Sequence, residues 1–112
     1  MTETAYRHRE QAAGKWETLS LAEQLGNVGG EVGRMLRWKD RDERLATAAF
    51  ARALELLDLT LADARWRHRL REIARARELL CDAAQGGGEY GTTLEGLDRY
   101  FLAFAMAARA RR

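Results

Sequence analysis

The chain has 112 residues, 46% of them hydrophobic and 32% charged, with a formal net charge of +2. That length suits one domain with one core, and the mixed composition excludes a disordered or fibrous chain. Proline is absent, Ala, Leu, Arg and Glu dominate, and Val and Ile are scarce, which predicts long helices and excludes a sheet-based fold.

Residues 1–15 are polar and lack a regular period, so they are expected to form a loose arm ahead of a domain spanning 16–112. Tyr6 and Trp16 are its candidate anchors. The arm has no signal-peptide core, Cys81 is alone and has no disulfide partner, and no apolar run reaches membrane-spanning length. The expectation from those features is a cytoplasmic chain that does not cross a membrane.

Ser20 and Glu23 have the spacing of a capping box, with Leu19 as a staple residue. Leu21, Leu25, Val28, Val32, Met35 and Leu36 then recur in steps of three and four, predicting a first helix to about Lys39. Gly26, Gly29, Gly30 and Gly33 lie beside that stripe. Each costs roughly 1 kcal/mol against alanine in a helix, so close approach of a neighbouring helix is expected to offset them. A break at Gly29 and Gly30 is the alternative, but Val32 and Leu36 keep the phase of Leu25.

Asp40, Arg41 and Asp42 read as a turn, and a second helix is predicted over 42–61. Leu45, Ala49, Phe50, Ala53, Leu54, Leu56, Leu57 and Leu61 cover more than half its circumference, as in a central helix or one that meets another subunit. A turn at 60–64 with Asp63 as N-cap leads into a third helix, predicted over 64–84. Its stripe is Trp66, Leu70, Ile73, Ala74, Leu80 and Cys81, and Gly86, Gly87 and Gly88 stop it. Thr92 and Glu95 suggest a second capping box before a fourth helix from Thr93 to about Ala110. Its stripe is Leu94, Leu97, Phe101, Phe104, Ala105 and Ala108. Four amphipathic helices with short connections predict an all-α fold, an antiparallel up-down-up-down four-helix bundle.

Catalytic signatures are missing. His8 and His68 are not a metal-ligand pair, there is no Glu-x-x-His, and the glycines at 86–88 lack the Lys-Ser/Thr of a phosphate loop. Cys81 falls on an apolar stripe, where packing is its expected role. The chain is therefore expected to be no enzyme, with no metal and no cofactor.

The basic residues are distinctive, because 17 of 19 are arginine. A GC-rich genome would give that bias too, so placement matters. Arg65, Arg67, Arg69, Arg71, Arg75 and Arg77 all fall on the third helix. At 100° per residue Arg67, Arg71 and Arg75 share one exposed sector, the spacing of a ridge that follows a phosphate backbone. Arg65 and Arg69 flank the stripe, and Arg77 points into it, where Asp58 or Glu31 would pair with it. A solvated face paired with Glu72 and Glu78 is the alternative. With the basic C-terminus, the candidate nucleic-acid-binding residues are Arg65, Arg67, Arg69, Arg71, Arg75, Arg109, Arg111 and Arg112, facing RNA or DNA. The candidate subunit contacts are Gly26, Gly29, Gly30, Gly33 and Trp38.

Four blocks carry a family resemblance: WETLSLAEQLGNVGGEVGR at 16–34, FARALELLDLTL at 50–61, RELLCD at 77–82 and YFLAFAMAAR at 100–109. They resemble the small bacterial four-helix proteins related to the 23S rRNA intervening-sequence protein. That group includes the accessory variability proteins of diversity-generating retroelements. The resemblance implies a basic, barrel-shaped homopentamer that binds a reverse transcriptase and its template RNA without catalysing a reaction. It also implies that Arg67, Arg71 and Arg75 face the RNA, and that the glycine face and the second helix meet other subunits. A protein–protein adaptor or antitoxin-like module, without nucleic-acid affinity, is the competing expectation.

Overall fold

The structure, a computed structural model, describes residues 14–111. The expected arm lies outside the described residues apart from Gly14 and Lys15, as do Tyr6, His8 and Arg112. The described residues are all-helical. They form α1 (Leu21–Trp38), α2 (Glu43–Ala62), a 3-10 segment (Ala64–Arg69), α3 (Leu70–Ala84) and α4 (Leu94–Ala110). Among them no helix is long and apolar enough to cross a membrane.

The capping box at the start of α1 is formed: the Glu23 N–H donates to Ser20 Oγ at 3.1 Å and the Ser20 N–H to Glu23 Oε1 at 3.0 Å. The helix runs unbroken through Gly29 and Gly30. It packs along its length on both α2 and α4, burying Leu25, Val28, Val32 and Met35. The glycines explain how α4 comes so close. A Cβ on Gly29 would stand 2.7 Å from Phe101 Cβ, and one on Gly26 would stand 3.0 Å from Ala105 Cα. Gly33 looks toward Asp98, whereas Gly30 faces open space. The expected subunit interface at Gly26, Gly29 and Gly33 is thus corrected: α4 of the same chain covers that face.

The central helix is α1 rather than α2. On α2 the buried row is Ala49, Ala53, Leu57 and Thr60, whose two alanines let α1 approach. Leu45 is 43% exposed, and Phe50, Leu54, Leu56 and Leu61 pack only at the edge of the core. The reason is that α3 meets α2 more sparsely than α1 does, so part of the apolar circumference of α2 stays uncovered. The turn expected at 60–64 is also shorter, since α2 continues to Ala62.

The third helix begins at Leu70, six residues later than its pattern suggests. Asp63 is the N-cap, but of a 3-10 segment that Trp66 interrupts at φ −105°, ψ 23°. The cause is tertiary. The Trp66 indole N–H donates to Gln24 Oε1 at 3.0 Å, and Arg65 is held by Asp63 and the Leu19 carbonyl. Those bonds hold the segment in place while its backbone departs from α geometry. The phase of α3 shifts accordingly: Ile73, Ala76, Leu80 and Ala83 are buried, while Leu70 is exposed.

At the end of α3, Gly86 and Gly87 take positive φ, and their N–H groups donate to the Ala83 and Asp82 carbonyls, a Schellman arrangement. Buried Asp82 organises the following loop by accepting from the N–H groups of Glu89, Tyr90 and Thr92 at 2.9, 3.1 and 3.2 Å. Burial alone would push its carboxyl pKa up, but these bonds hold it below the ordinary value. Because Asp82 takes the Thr92 N–H, the cap of α4 is Thr93, which accepts from the Gly96 N–H at 3.0 Å. Gly96 has no side chain to reciprocate, so the second capping box expected from Thr92 and Glu95 does not form.

Candidate nucleic-acid interface

The core of one end of the molecule is polar. Gln24 is fully buried, and its Nε2 donates to the Trp16 carbonyl at 2.9 Å and to Asp63 Oδ2 at 3.0 Å. Trp66 donates to its Oε1, as above. Trp16 is also buried and donates its indole N–H to Thr60 Oγ1 at 3.1 Å, and Thr60 donates onward to the Leu56 carbonyl. This network ties the residues before α1 to the end of α2 and to the 3-10 segment, and every buried polar group in it has a partner.

Arg65 completes the network. Its Nε and Nη2 donate to both Asp63 oxygens at 3.0 and 2.7 Å, its Nη2 to the Leu19 carbonyl at 2.7 Å, and its guanidinium lies 4.4 Å from the Trp66 ring centroid. Bonding to Arg65 outweighs burial and, with Gln24, lowers the Asp63 pKa from 3.8 to about 2. Arg65 is thus spent on structure.

Three other arginines of the run are also engaged. Arg69 pairs with Glu72 at 2.8 Å. Arg75 pairs with Glu78 at 3.3 Å and sits 4.4 Å from the Tyr90 ring centroid. Arg77 grips Asp58 through Nε at 2.8 Å and Nη2 at 3.4 Å. Arg67 and Arg71 are exposed, and neither has a carboxylate or ring partner among the described residues. The Arg67, Arg71 and Arg75 ridge is not a single helical row, because Arg67 belongs to the 3-10 segment and only Arg71 and Arg75 are one turn apart on α3.

The topology brings a second set of arginines to this end. Gly26 meets Ala105, Gly29 meets Phe101, and Lys39 Nζ lies 3.7 Å from Glu95, so α4 runs antiparallel to α1. The end of α4, with exposed Arg109 and Arg111, therefore lies beside the start of α1. Arg65 and Trp66 are held at that same end by Leu19 and Gln24. Exposed Lys15 belongs to this end as well, a residue the sequence reading missed. Its signal was the topology itself: in an antiparallel array the start of the third helix and the end of the fourth coincide. At the other end Asp40, Asp42, Glu43, Glu89 and Glu95 stand among Arg37, Lys39, Arg41 and Arg44, so the acids offset the bases.

Trp38 is half-buried beside an open groove of about 310 Å³ that also touches Glu31, Arg34, Leu45 and Arg52. Glu31 Oε2 accepts from Arg34 at 2.6 Å and lies 3.5 Å from Arg52, while its buried Oε1 has no donor. A second groove, of about 460 Å³, separates α3 from α4 and is lined by Arg75, Leu79, Thr93, Leu97 and Tyr100 among others. The Tyr100 hydroxyl, whose pKa burial and then Glu72 push up, donates to Glu72 Oε1 at 3.4 Å. Among the described residues no group of three or more His, Cys, Asp or Glu is placed to hold a metal. No family model, curated protein or solved structure matches this chain.

Proposed function

We propose that this chain is a non-catalytic nucleic-acid-binding accessory protein. It folds as an antiparallel up-down-up-down four-helix bundle and works in the cytoplasm as a homo-oligomer. In this reading it scaffolds a reverse transcriptase and its template RNA in a diversity-generating retroelement. The observation that carries the nucleic-acid part is the gathering at one end of Arg67, Arg71, Arg109 and Arg111, which have no carboxylate partner among the described residues. Each presents a planar fork suited to a phosphate, with no carboxylate to displace first. The bundle reading is supported by the order of neighbours, α1 against α2 and α4, with α3 touching both of those. The reverse-transcriptase partner rests on the resemblance of the four sequence blocks.

The test is fluorescence anisotropy with a structured RNA across a salt series. Counterion release makes affinity fall steeply with salt. Replacing Arg67, Arg71, Arg109 and Arg111 by alanine is expected to make the slope of log affinity against log salt shallower by about 3, roughly one phosphate per arginine. A folded wild-type chain that binds no RNA at low salt overturns the reading. That result would leave the protein–protein adaptor, which one observation favours: an exposed uncharged face on α4.

A further inference from the structure

Residues 100–108, YFLAFAMAA, contain no charged side chain, although α4 lies at the surface. Phe101 is buried, and Phe104, Ala105 and Ala108 are partly covered on the inner side. On the outer side Leu102 is 48% and Met106 60% exposed, with Ala103, Ala107 and Ala110 also exposed. A helix that is apolar all round is ordinarily covered all round, and a continuous exposed apolar strip marks a contact surface.

The charges flanking this strip say what covers it. Glu95 precedes Leu102 by seven residues and Arg109 follows it by seven, so the three lie on nearly the same side, about 10 Å apart along the axis. The acid stands at the start of α4 and the base at its end. We infer that this face of α4 binds the same face of a second copy of the chain, antiparallel about a twofold axis at Leu102.

In that arrangement Leu102 meets Leu102, and each Met106 lies against the aliphatic stem of Arg99 from the other copy. Glu95 of each copy faces Arg109 of the other. Parallel pairing would set Glu95 on Glu95 and Arg109 on Arg109. The pattern is self-complementary, as a twofold interface demands. A fivefold ring, the form that the family resemblance implies, would instead set this strip against a different face of the next copy. Among the described residues the ion pair of Glu95 is the 3.7 Å contact with half-exposed Lys39, which Arg109 of the other copy can replace. Arg109 turns to Glu95 of the other copy while Arg67, Arg71 and Arg111 stay free for phosphate, and association is read without RNA, so its failure is distinguishable from a failure of nucleic-acid binding.

Multi-angle light scattering over a dilution series of the full chain tests it, with no RNA present. The wild type is expected to move from one chain mass to two as concentration rises. Met106→Arg is expected to stay at one chain mass with an unchanged circular-dichroism spectrum, because it sets like charge against Arg99 of the other copy and Met106 makes little of the core. Glu95→Arg is expected to weaken association by about tenfold, since the twofold axis places two such pairs in each dimer. Arg109→Glu added to Glu95→Arg is expected to restore it. A wild type that is monomeric at every concentration overturns the proposal. So does an assembly of more than two copies, a dimer that survives Met106→Arg, or a double charge swap that fails to restore association.

Discussion

The glycines of α1 differ in what they do, and single substitutions separate them. Gly29 is where α4 comes closest, and an added Cβ there meets Phe101 Cβ at 2.7 Å. Gly29→Ala is expected to destabilise by about 1–3 kcal/mol, the range for overpacking a filled site. Gly30, one position on, meets nothing within 4 Å, and Gly30→Ala is expected to stabilise by about 0.5–1 kcal/mol through helix propensity alone. Urea denaturation midpoints of the two variants should move in opposite directions; a shift of the same sign in both would contradict the packing. Asp63 sets a pH dependence. Its pKa is lowered from 3.8 to about 2, so it adds stability above its unfolded value. That stability is lost as pH falls from about 4 toward 2, when the carboxylate protonates. Thermal melts of wild type and Asp63→Asn should therefore converge as pH is lowered through that window.

At the scale of elements, the 3-10 segment is a product of its surroundings. Its sequence reads as the first turns of a helix, and arginine and alanine there favour one. Hydrogen bonds to Gln24, Asp63 and Leu19 supply more than the local preference. Gln24 is the joint, because it meets the residue before α1, the N-cap of the segment and the Trp66 indole at once. Gln24→Met keeps the volume and removes all three bonds, leaving the Trp66 N–H without its partner, while the Trp16 carbonyl keeps the Leu19 N–H and Asp63 keeps Arg65. The expected cost is about 1–3 kcal/mol, from the one stranded indole N–H. Thermal unfolding and the emission of the two indoles would report it; an unchanged melting temperature would remove the network from the account of stability. The α1 capping box was legible because Ser20 and Glu23 act locally. The α4 cap was misplaced by one residue because Asp82, in another helix, decides which threonine is free to cap.

Over the whole molecule the arginines divide by pairing rather than by helix. Arg65, Arg69, Arg75 and Arg77 are committed to Asp63, Glu72, Glu78 and Asp58, and a count of arginines along the chain cannot separate them from Arg67 and Arg71. The exposed Arg37, Arg41 and Arg44 at the opposite end provide the control for RNA binding. Their replacement by alanine is expected to change the salt slope by less than about 1, against about 3 for the basic end. Equal effects from both ends would mean that net charge alone drives binding, with no defined surface.

The sequence alone determined that the chain is helical, where α1 and α2 lie, that α1 stays continuous through its glycines, and that those glycines mark a close approach. These follow from propensity, period and capping, all of which act within a few turns of one helix. The tertiary structure alone decided that α4 fills the glycine face, that α1 lies at the centre and that α3 starts late. It also decided which arginines remain free. Each of those outcomes depends on groups far apart in the chain: Gln24 and Asp63 are separated by 39 residues and Arg65 and Leu19 by 46. Hydrogen bonds and ion pairs over such separations leave no periodic trace in sequence, because chain folding, not spacing, brings their members together.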